Sequence, residues 1–317
     1  MSAGLPFLDA DAIRAAVPIG DLVDAVEAAY RDVAAGRDRS PIRSHVALDD
    51  GALLLMPGVR AGGAGVTVKL VTVMPRNAEQ GLSTVQALVT WIDAATGTPR
   101  ALLDGATVTA MRTGAASGVA TRLLARQDAS TLAIIGAGGQ AEWQVRAVRA
   151  VRPIERILVF ARSPLAREQF ADRMSREGIA AVAASTAEEA VREADVVCCA
   201  TTSAEPVFDT AWLRPGTHVN GIGAFTLDMV ELPPELFAIA VPAAVDSRAA
   251  AMAEAGDVVA AIRRGLVSEE ALVEIGTVER SWAASRDPQA ITAFKSVGLA
   301  IQDVAAAELI VHRLLGN

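Results

Sequence analysis

The chain has little aromatic surface, almost no cysteine and no basic run, and each shortage narrows what it can be. Aromatic residues fill 4% of its 317 positions, while hydrophobic residues as a group reach 52%, most of them Ala, Val and Leu. Such a mixture suits helices and buried parallel strands better than an aromatic-rich β-sandwich. Lys and Arg number 29 against 37 Asp and Glu, a formal net charge of −8. Neutralising a phosphate backbone takes clustered cations, so nucleic acid is not an expected partner. The two cysteines, Cys198 and Cys199, are adjacent inside the apolar run Val196–Ala200. Neighbouring cysteines close only a strained ring, so both are expected as small core residues of a buried strand, and nothing calls for an oxidising compartment. No uncharged apolar stretch reaches the ~18 residues of a spanning helix. Residues 1–11 place no basic segment ahead of an apolar one. Membrane insertion and a signal peptide are therefore not expected, and the cytoplasm is the expected location.

What is present fits two modest domains, each able to bury a core. Leu22, Val26, Ala29, Tyr30 and Val33 share one face of a helix over 20–36, with Gly36 as its stop. From about Ser44 the period becomes two. Segments 45–48 and 52–56 flank Asp49-Asp50-Gly51, a hairpin signal, and 66–74 and 84–92 are further strands. An antiparallel sheet with one or two helices is expected here. The helix over 107–124 is crowded with small residues (Ala110, Gly114, Ala115, Ala116, Gly118, Ala120), which implies close backbone packing. Beyond it strands at 132–136, 156–160, 180–184, 195–200 and 217–220 alternate with helices starting near 140, 164 and 186. That alternation predicts a doubly wound parallel sheet. A strand at 291–297 and a helix at 300–315 close the chain. The expected fold is α/β: a Rossmann domain over 114–298 and a smaller α+β domain formed by 1–113 with 299–317.

The strongest local signal is Leu132-Ala133-Ile134-Ile135-Gly136-Ala137-Gly138-Gly139-Gln140-Ala141. An apolar strand runs into Gly-x-Gly-x-x-Ala and then a helix. Gly136 makes the tight turn, Gly138 lets the backbone approach a pyrophosphate, and Ala141 keeps helix and strand close. Amide groups at the helix start, with its dipole, suit the anionic phosphates. The acid that would bind ribose hydroxyls, expected roughly 20 residues on, is missing. Ala161 stands there, followed by Arg162 and Ser163. A guanidinium and a hydroxyl suit a 2′-phosphate, so NADPH is the preferred cofactor and NADH a possible one.

Lys69 lies in Val66–Val73, an otherwise uncharged strand. It must reach an edge or a polar cavity, because burying an ammonium alone is costly. Desolvation would also lower its pKa, which suits proton transfer. Arg112 sits in the small-residue helix between uncharged neighbours, and Arg43 leads into the first period-two strand. Taken singly, each basic residue reads as a surface charge more readily than as a site residue. Three cations brought together would bind a carboxylate, but spacing alone does not bring them together. His45, His218 and His312 lack metal-ligand partners at any useful spacing, so no metal is expected.

Gly81-Leu82-Ser83-Thr84-Val85-Gln86-Ala87, Thr109-Ala110-Met111-Arg112-Thr113-Gly114-Ala115, Ile135–Ala141 and Phe294-Lys295-Ser296-Val297-Gly298 together resemble the ornithine cyclodeaminase/mu-crystallin family, in order and over nearly the whole chain. The resemblance implies a homodimer whose smaller domain binds substrate and makes the subunit contact. It implies that Arg43, Lys69 and Arg112 hold the carboxylate of a small imine or amino-acid substrate, with Lys69 near the reacting nitrogen. Thr84, Gly139, Gln140, Thr201 and Ser296, with Gly221 and Arg112 beside them, would contact the cofactor, and Val297 would border the substrate.

Two positions depart from the ornithine cyclodeaminase pattern. Phe225 stands where those enzymes and the related alanine dehydrogenases carry an Asp, with Asp228 three positions further on, and Leu54 stands in place of a Glu. Phenylalanine cannot accept a proton or pair with a second ammonium, which argues against cyclodeamination. Gly223-Ala224-Phe225-Thr226 with Met229 and Glu231 resembles the Δ1-pyrroline-2-carboxylate reductase branch instead. The expected activity is therefore nicotinamide-dependent reduction of cyclic imine carboxylates, Δ1-pyrroline-2-carboxylate to proline and Δ1-piperideine-2-carboxylate to pipecolate. The alternatives are an ornithine or lysine cyclodeaminase, an alanine-type dehydrogenase, or a non-catalytic NADPH-binding protein like some mu-crystallin chains.

Overall fold

The period-two segments after Ser44 lie side by side as antiparallel strands, and the alternating segments after residue 130 form a parallel sheet. In the computed structural model, which describes residues 4–316, the chain divides into two units. One comprises residues up to Arg112 together with those from Leu299, the other Thr113–Gly298.

The first unit begins with β1 (Phe7–Leu8), α1 (Ala10–Ala16) and α2 (Ile19–Ala34). Asp9 caps α1, accepting from the Ala12 amide at 2.9 Å. Helix α2 buries Leu22, Val26, Ala29 and Tyr30 on the face their spacing picks out. The chain leaves it through Gly36, whose φ of 68° costs a residue without a Cβ little. Strands β2 (Ser44–Leu48), β3 (Gly51–Val59), β4 (Gly65–Val73), β5 (Val85–Asp93) and β6 (Pro99–Asp104) follow. The first two form a hairpin over Asp49-Asp50, with Leu48 opposite Gly51. The sheet order is β1-β6-β5-β4-β3-β2. Its neighbours pair antiparallel, except β1, which joins β6 in parallel. One sheet face buries Leu54, Met56, Lys69, Val71, Val89 and Trp91. The opposite face leaves Leu53, Leu55, Val66, Val68 and Leu88 partly covered and Leu70 exposed, and β2 is exposed along its whole length.

Helix α3 (Gly105–Leu124) follows β6 directly and carries the division between the units. Its small residues serve close approach. A Cβ on Gly114 would stand 2.5 Å from the Trp143 carbonyl oxygen, a contact only glycine avoids.

The second unit alternates as β7 (Thr131–Ile135), α4 (Ala141–Arg149), β8 (Arg156–Phe160), α5 (Pro164–Arg176), β9 (Ala181–Ala183), α6 (Ala187–Glu193), β10 (Val196–Cys199) and β11 (His218–Gly221). Shorter elements come next: α7 (Leu236–Ile239), β12 (Ala243–Val245), α8 (Arg248–Glu254), α9 (Gly256–Arg263), β13 (Val273–Glu274), α10 (Trp282–Ser285) and β14 (Thr292–Lys295). All neighbours pair in parallel, in the order β13-β12-β14-β11-β10-β7-β8-β9. The winding reverses between β7 and β10, the switch point at whose carboxyl edge such sheets bind ligands. Cys198 and Cys199 are free thiols buried in β10. The last helix, α11 (Ala300–Leu315), packs on α2, β3 and β4 of the first unit. Among the described residues no helix is long and apolar enough to cross a membrane.

Candidate active site

In the first unit Lys69 points from β4 towards α11. Its side chain is 1% exposed, and its Nζ lies 2.8 Å from Oδ2 of Asp303, which is fully buried. The two form a buried ion pair. Arg112 reaches the same carboxylate from α3, with Nε 3.2 Å from Asp303 Oδ1. Its Nη1 donates to Gln302 Oε1 at 2.8 Å. That oxygen also accepts from the Leu299 amide at 3.0 Å, and Gln302 Nε2 donates to the Tyr30 hydroxyl. The first turn of α11 is thus braced against α2 and α3. Burial pushes the Lys69 ammonium down to about 7; Asp303 opposes the shift, and Arg112 and Arg43 add to it. Arg43, partly buried ahead of β2, therefore lies within electrostatic reach of Lys69.

Asp303 and Gln302 escaped the sequence reading. Their signal was an acid and an amide inside Ala300–Ala307, a segment otherwise composed of apolar residues and wholly buried, where each needs a partner. A second signal is lysine scarcity: Lys69 and Lys295 are the only two lysines in the sequence.

In the second unit β7 delivers Gly136 with a φ of 106°, and a Cβ there would stand 2.7 Å from the Ala200 carbonyl oxygen. A Cβ added at Gly138 or Gly139 would meet no protein atom within 4 Å, so this edge of the loop is open to a ligand. Gln140, the N-cap of α4, makes no side-chain cap bond, and its Oε1 is buried without a protein partner. A bare glycine edge, a helix start without a side-chain cap and a buried unpartnered oxygen fit a pyrophosphate-bearing dinucleotide. At the end of β8, Arg162 and Ser163 are both exposed. The Ser163 oxygen caps α5 by accepting from the Ala166 amide at 3.2 Å. Arg167, absent from the sequence reading, stands over the Phe160 ring at 5.5 Å and adds a second cation at the same strand end.

The loops at the carboxyl edge are tied down by buried charge. Glu231 accepts from the Thr201 amide and, at 2.9 Å, from the Gly223 amide. Burial raises its pKa, against the pull of Lys295 and of those amides. Lys295 pairs with Asp257 at 3.0 Å and donates to the Ala224 carbonyl at 2.8 Å. Gly221 ends β11 in the interior, and its carbonyl accepts from the Ser296 amide at 3.0 Å. The Ser296 hydroxyl donates to Asp246 at 2.9 Å and accepts from the Gly298 amide at 3.1 Å, so both of its capacities are engaged inside the loop. Val297 is buried beside it, its amide also bonded to Asp246. Thr84, in the first unit, is partly buried ahead of β5. Phe225 is partly buried, Asp228 is exposed, and Leu54 is buried opposite Val71.

The predicted residues therefore fall into two groups. Arg43, Lys69, Thr84 and Arg112 lie in the first unit, with Lys69 and Arg112 on one carboxylate and Arg43 within electrostatic reach. Gly136, Gly138, Gly139, Gln140, Arg162, Ser163, Thr201, Gly221, Ser296 and Val297 lie along the strand ends of the second.

A sequence profile describing the ornithine cyclodeaminase/mu-crystallin family matches residues 7–317. The chain belongs to this family. A Delta(1)-pyrroline-2-carboxylate reductase of Bacillus cereus is 37% identical over 313 residues, covering 97% of this chain and 96% of the relative. Among solved structures, the Thermococcus litoralis Delta(1)-pyrroline-2-carboxylate reductase in complex with NADH and L-proline superposes with a TM-score of 0.92, at 35% identity and 98% coverage of each chain. An archaeal alanine dehydrogenase dimer with bound NAD superposes with a TM-score of 0.89 at 32% identity, covering 98% of this chain and 96% of the other.

Proposed function

We propose that this family member is a nicotinamide-dependent oxidoreductase that reduces the C=N bond of cyclic imine carboxylates, Δ1-pyrroline-2-carboxylate first among them. The observation that carries this reading is the dry cluster of Lys69, Arg112 and Asp303, in which a buried ammonium stands beside a guanidinium able to grip an acid group. The Bacillus and Thermococcus relatives, both Delta(1)-pyrroline-2-carboxylate reductases, support it. A cyclic imine carboxylate offers one carboxylate and one nitrogen. Arg112 and Arg43 bind the former, and Lys69 gives the latter its proton. Such a donor contributes roughly 10²–10⁴-fold, and holding the reactants in place contributes further. A bound reduced nicotinamide supplies the hydride for C2. Gly136, Gly138, Gly139 and Gln140 would hold its pyrophosphate, with Thr201, Gly221, Ser296, Thr84 and Arg112 lining the remainder.

Arg162 and Ser163, with Arg167 close by in sequence, support NADPH as the preferred cofactor and NADH as the weaker one. A reaction that consumes a reduced nicotinamide is consistent with the cytoplasm as its location. The outer apolar face of the first sheet, around Leu55, Val68 and Leu70, supports a homodimer joined through that face. Phe225 and Leu54 leave no acid for the distal ammonium of ornithine or lysine, which disfavours cyclodeamination. The test supplies Δ1-pyrroline-2-carboxylate and Δ1-piperideine-2-carboxylate with NADPH or NADH and follows the loss of nicotinamide absorbance. Turnover of neither imine overturns the proposal. Turnover of pyruvate and ammonia alone would favour an alanine-type dehydrogenase.

A further inference from the structure

The proton donor assigned to Lys69 raises a problem that Asp303 resolves. An ammonium buried between two guanidinium groups is driven to lose its proton, by desolvation and by like charge. The charged groups acting on Lys69 are Asp303 from α11, Arg112 from α3 and Arg43 from the segment ahead of β2. Its cross-strand neighbours, Met56 on β3 and Val89 on β5, are apolar. Asp303 is thus the one acid in that set among the described residues.

We propose that Asp303 is a positioning residue that holds the Lys69 ammonium as proton donor to the imine nitrogen with one carboxylate oxygen, while its other oxygen fixes Arg112, which grips the substrate carboxylate. The assignment rests on the imine-reductase reading above. Two features beyond charge support it. The two cations are anchored to the two oxygens of a single group, Lys69 Nζ at 2.8 Å and Arg112 Nε at 3.2 Å. Their spacing is therefore fixed, and it suits a substrate whose nitrogen and carboxylate are borne by the same carbon. In addition, the protein offers the three N–H groups of the Lys69 ammonium a single carboxylate oxygen, Asp303 Oδ2 at 2.8 Å, which leaves N–H groups for a substrate nitrogen. Gln302, bonded to Arg112 and Tyr30, keeps the helix turn bearing Asp303 in place.

In the reaction the imine nitrogen takes a proton from Lys69 Nζ as C2 takes a hydride, with its electron pair, from the reduced nicotinamide. The C=N π bond opens to a secondary amine. The cofactor leaves oxidised, and the neutral Lys69 amine regains a proton from water.

The chain's two lysines make the test direct. Lysine labelled with ¹³C at Cε gives two side-chain signals, and the one lost in Lys69→Arg identifies Lys69. Its titration is followed in the wild-type protein, in Asp303→Asn and in Asp303→Glu, alongside imine reduction and NADPH binding. The wild-type midpoint is expected near 7. Asp303→Asn should lower it by about one unit or more, with the midpoint of the kcat/KM profile moving the same way. Its kcat should fall about ten-fold or more, and its NADPH dissociation constant should change less than about two-fold. Asp303→Glu, which keeps the charge and moves the oxygens, should leave the midpoint within about half a unit yet lower kcat. A merely structural role would not separate the two variants. If Asp303→Asn does not fold, a wild-type midpoint near that of free lysine, or a glutamate variant with unchanged kcat, overturns the assignment. A wild-type enzyme that reduces imines while Asp303→Asn keeps both midpoint and kcat overturns it alone. A wild-type protein that reduces no imine overturns the functional reading instead.

Discussion

Two glycines of the cofactor loop should respond to the same substitution in opposite ways. Gly136 has a φ of 106°, and a Cβ there would press to 2.7 Å from the Ala200 carbonyl oxygen. The backbone conformation alone costs about 1–3 kcal/mol for a residue with a side chain. At about 1 kcal/mol per 2–4 °C for a unit the size of Thr113–Gly298, Gly136→Ala should melt several degrees lower. Gly138 is outside the positive-φ region, and a Cβ there meets nothing within 4 Å. Gly138→Ala should therefore fold at least as stably, gaining about 0.4–1 kcal/mol from a less flexible unfolded chain. Its methyl group, however, would occupy the open loop edge where a pyrophosphate must approach. Losing the charge-assisted hydrogen bonds made there costs about 1.5–3 kcal/mol, or about 10- to 150-fold in affinity. Thermal melting and NADPH fluorescence titration separate the two effects. Gly138→Ala binding NADPH within two-fold of wild type would show that the phosphates do not lie along this edge.

The other expectations follow from charge. A 2′-phosphate held by the exposed Arg162, as proposed, would be screened by salt, and Arg162→Ser should raise the KM for NADPH about ten-fold while leaving that for NADH nearly unchanged. An unaltered cofactor ratio in steady-state rates would move discrimination elsewhere. As the proposed donor Lys69 must carry its proton, and burial brings its pKa down to about 7. Reduction kcat/KM should therefore be level below that pH and fall about ten-fold per unit above it. A profile flat to alkaline pH in initial-rate assays would contradict this. Glu231→Gln offers the Thr201 and Gly223 amides one carbonyl in place of two carboxylate oxygens, and its amide hydrogens would face an N–H. Stability should fall by about 1–3 kcal/mol in denaturant titrations, and NADPH binding should weaken with it.

What could be read ahead of the structure was local. Strand β8 occupies the predicted 156–160, and α11 the predicted 300–315, because each element's pattern is complete within its own residues. The stretch from 226 to 290 gave no helix or strand, since its helices run 4 to 8 residues and its strands 2 to 3, too short for a period to show. The ion pairs were hidden for a different reason. Residues 69, 112 and 303 meet only through tertiary packing, so no spacing announces them. Hydroxyls were likewise counted without their local duties. Ser163 spends an oxygen on capping α5, and Ser296 is bonded on both sides within its loop.

The choice of lysine at position 69 is itself evidence about chemistry. The sequence has 29 basic residues of these two kinds, and all but two are arginine. A cation needed only to grip a carboxylate could have been another arginine, which binds it in a fork and stays charged. Arginine does not release its proton in a protein, whereas a buried ammonium brought down to about 7 does so readily. Lys69→Arg should thus keep the positive charge and much of the substrate affinity yet lose proton donation. We expect kcat for imine reduction to fall by about 10²–10⁴-fold, with KM changed far less. The larger guanidinium must also fit beside Asp303, so NADPH titration and melting temperature serve to show an intact fold. A variant that kept a tenth or more of the wild-type kcat would show that position 69 only binds, and that the imine nitrogen draws its proton from water.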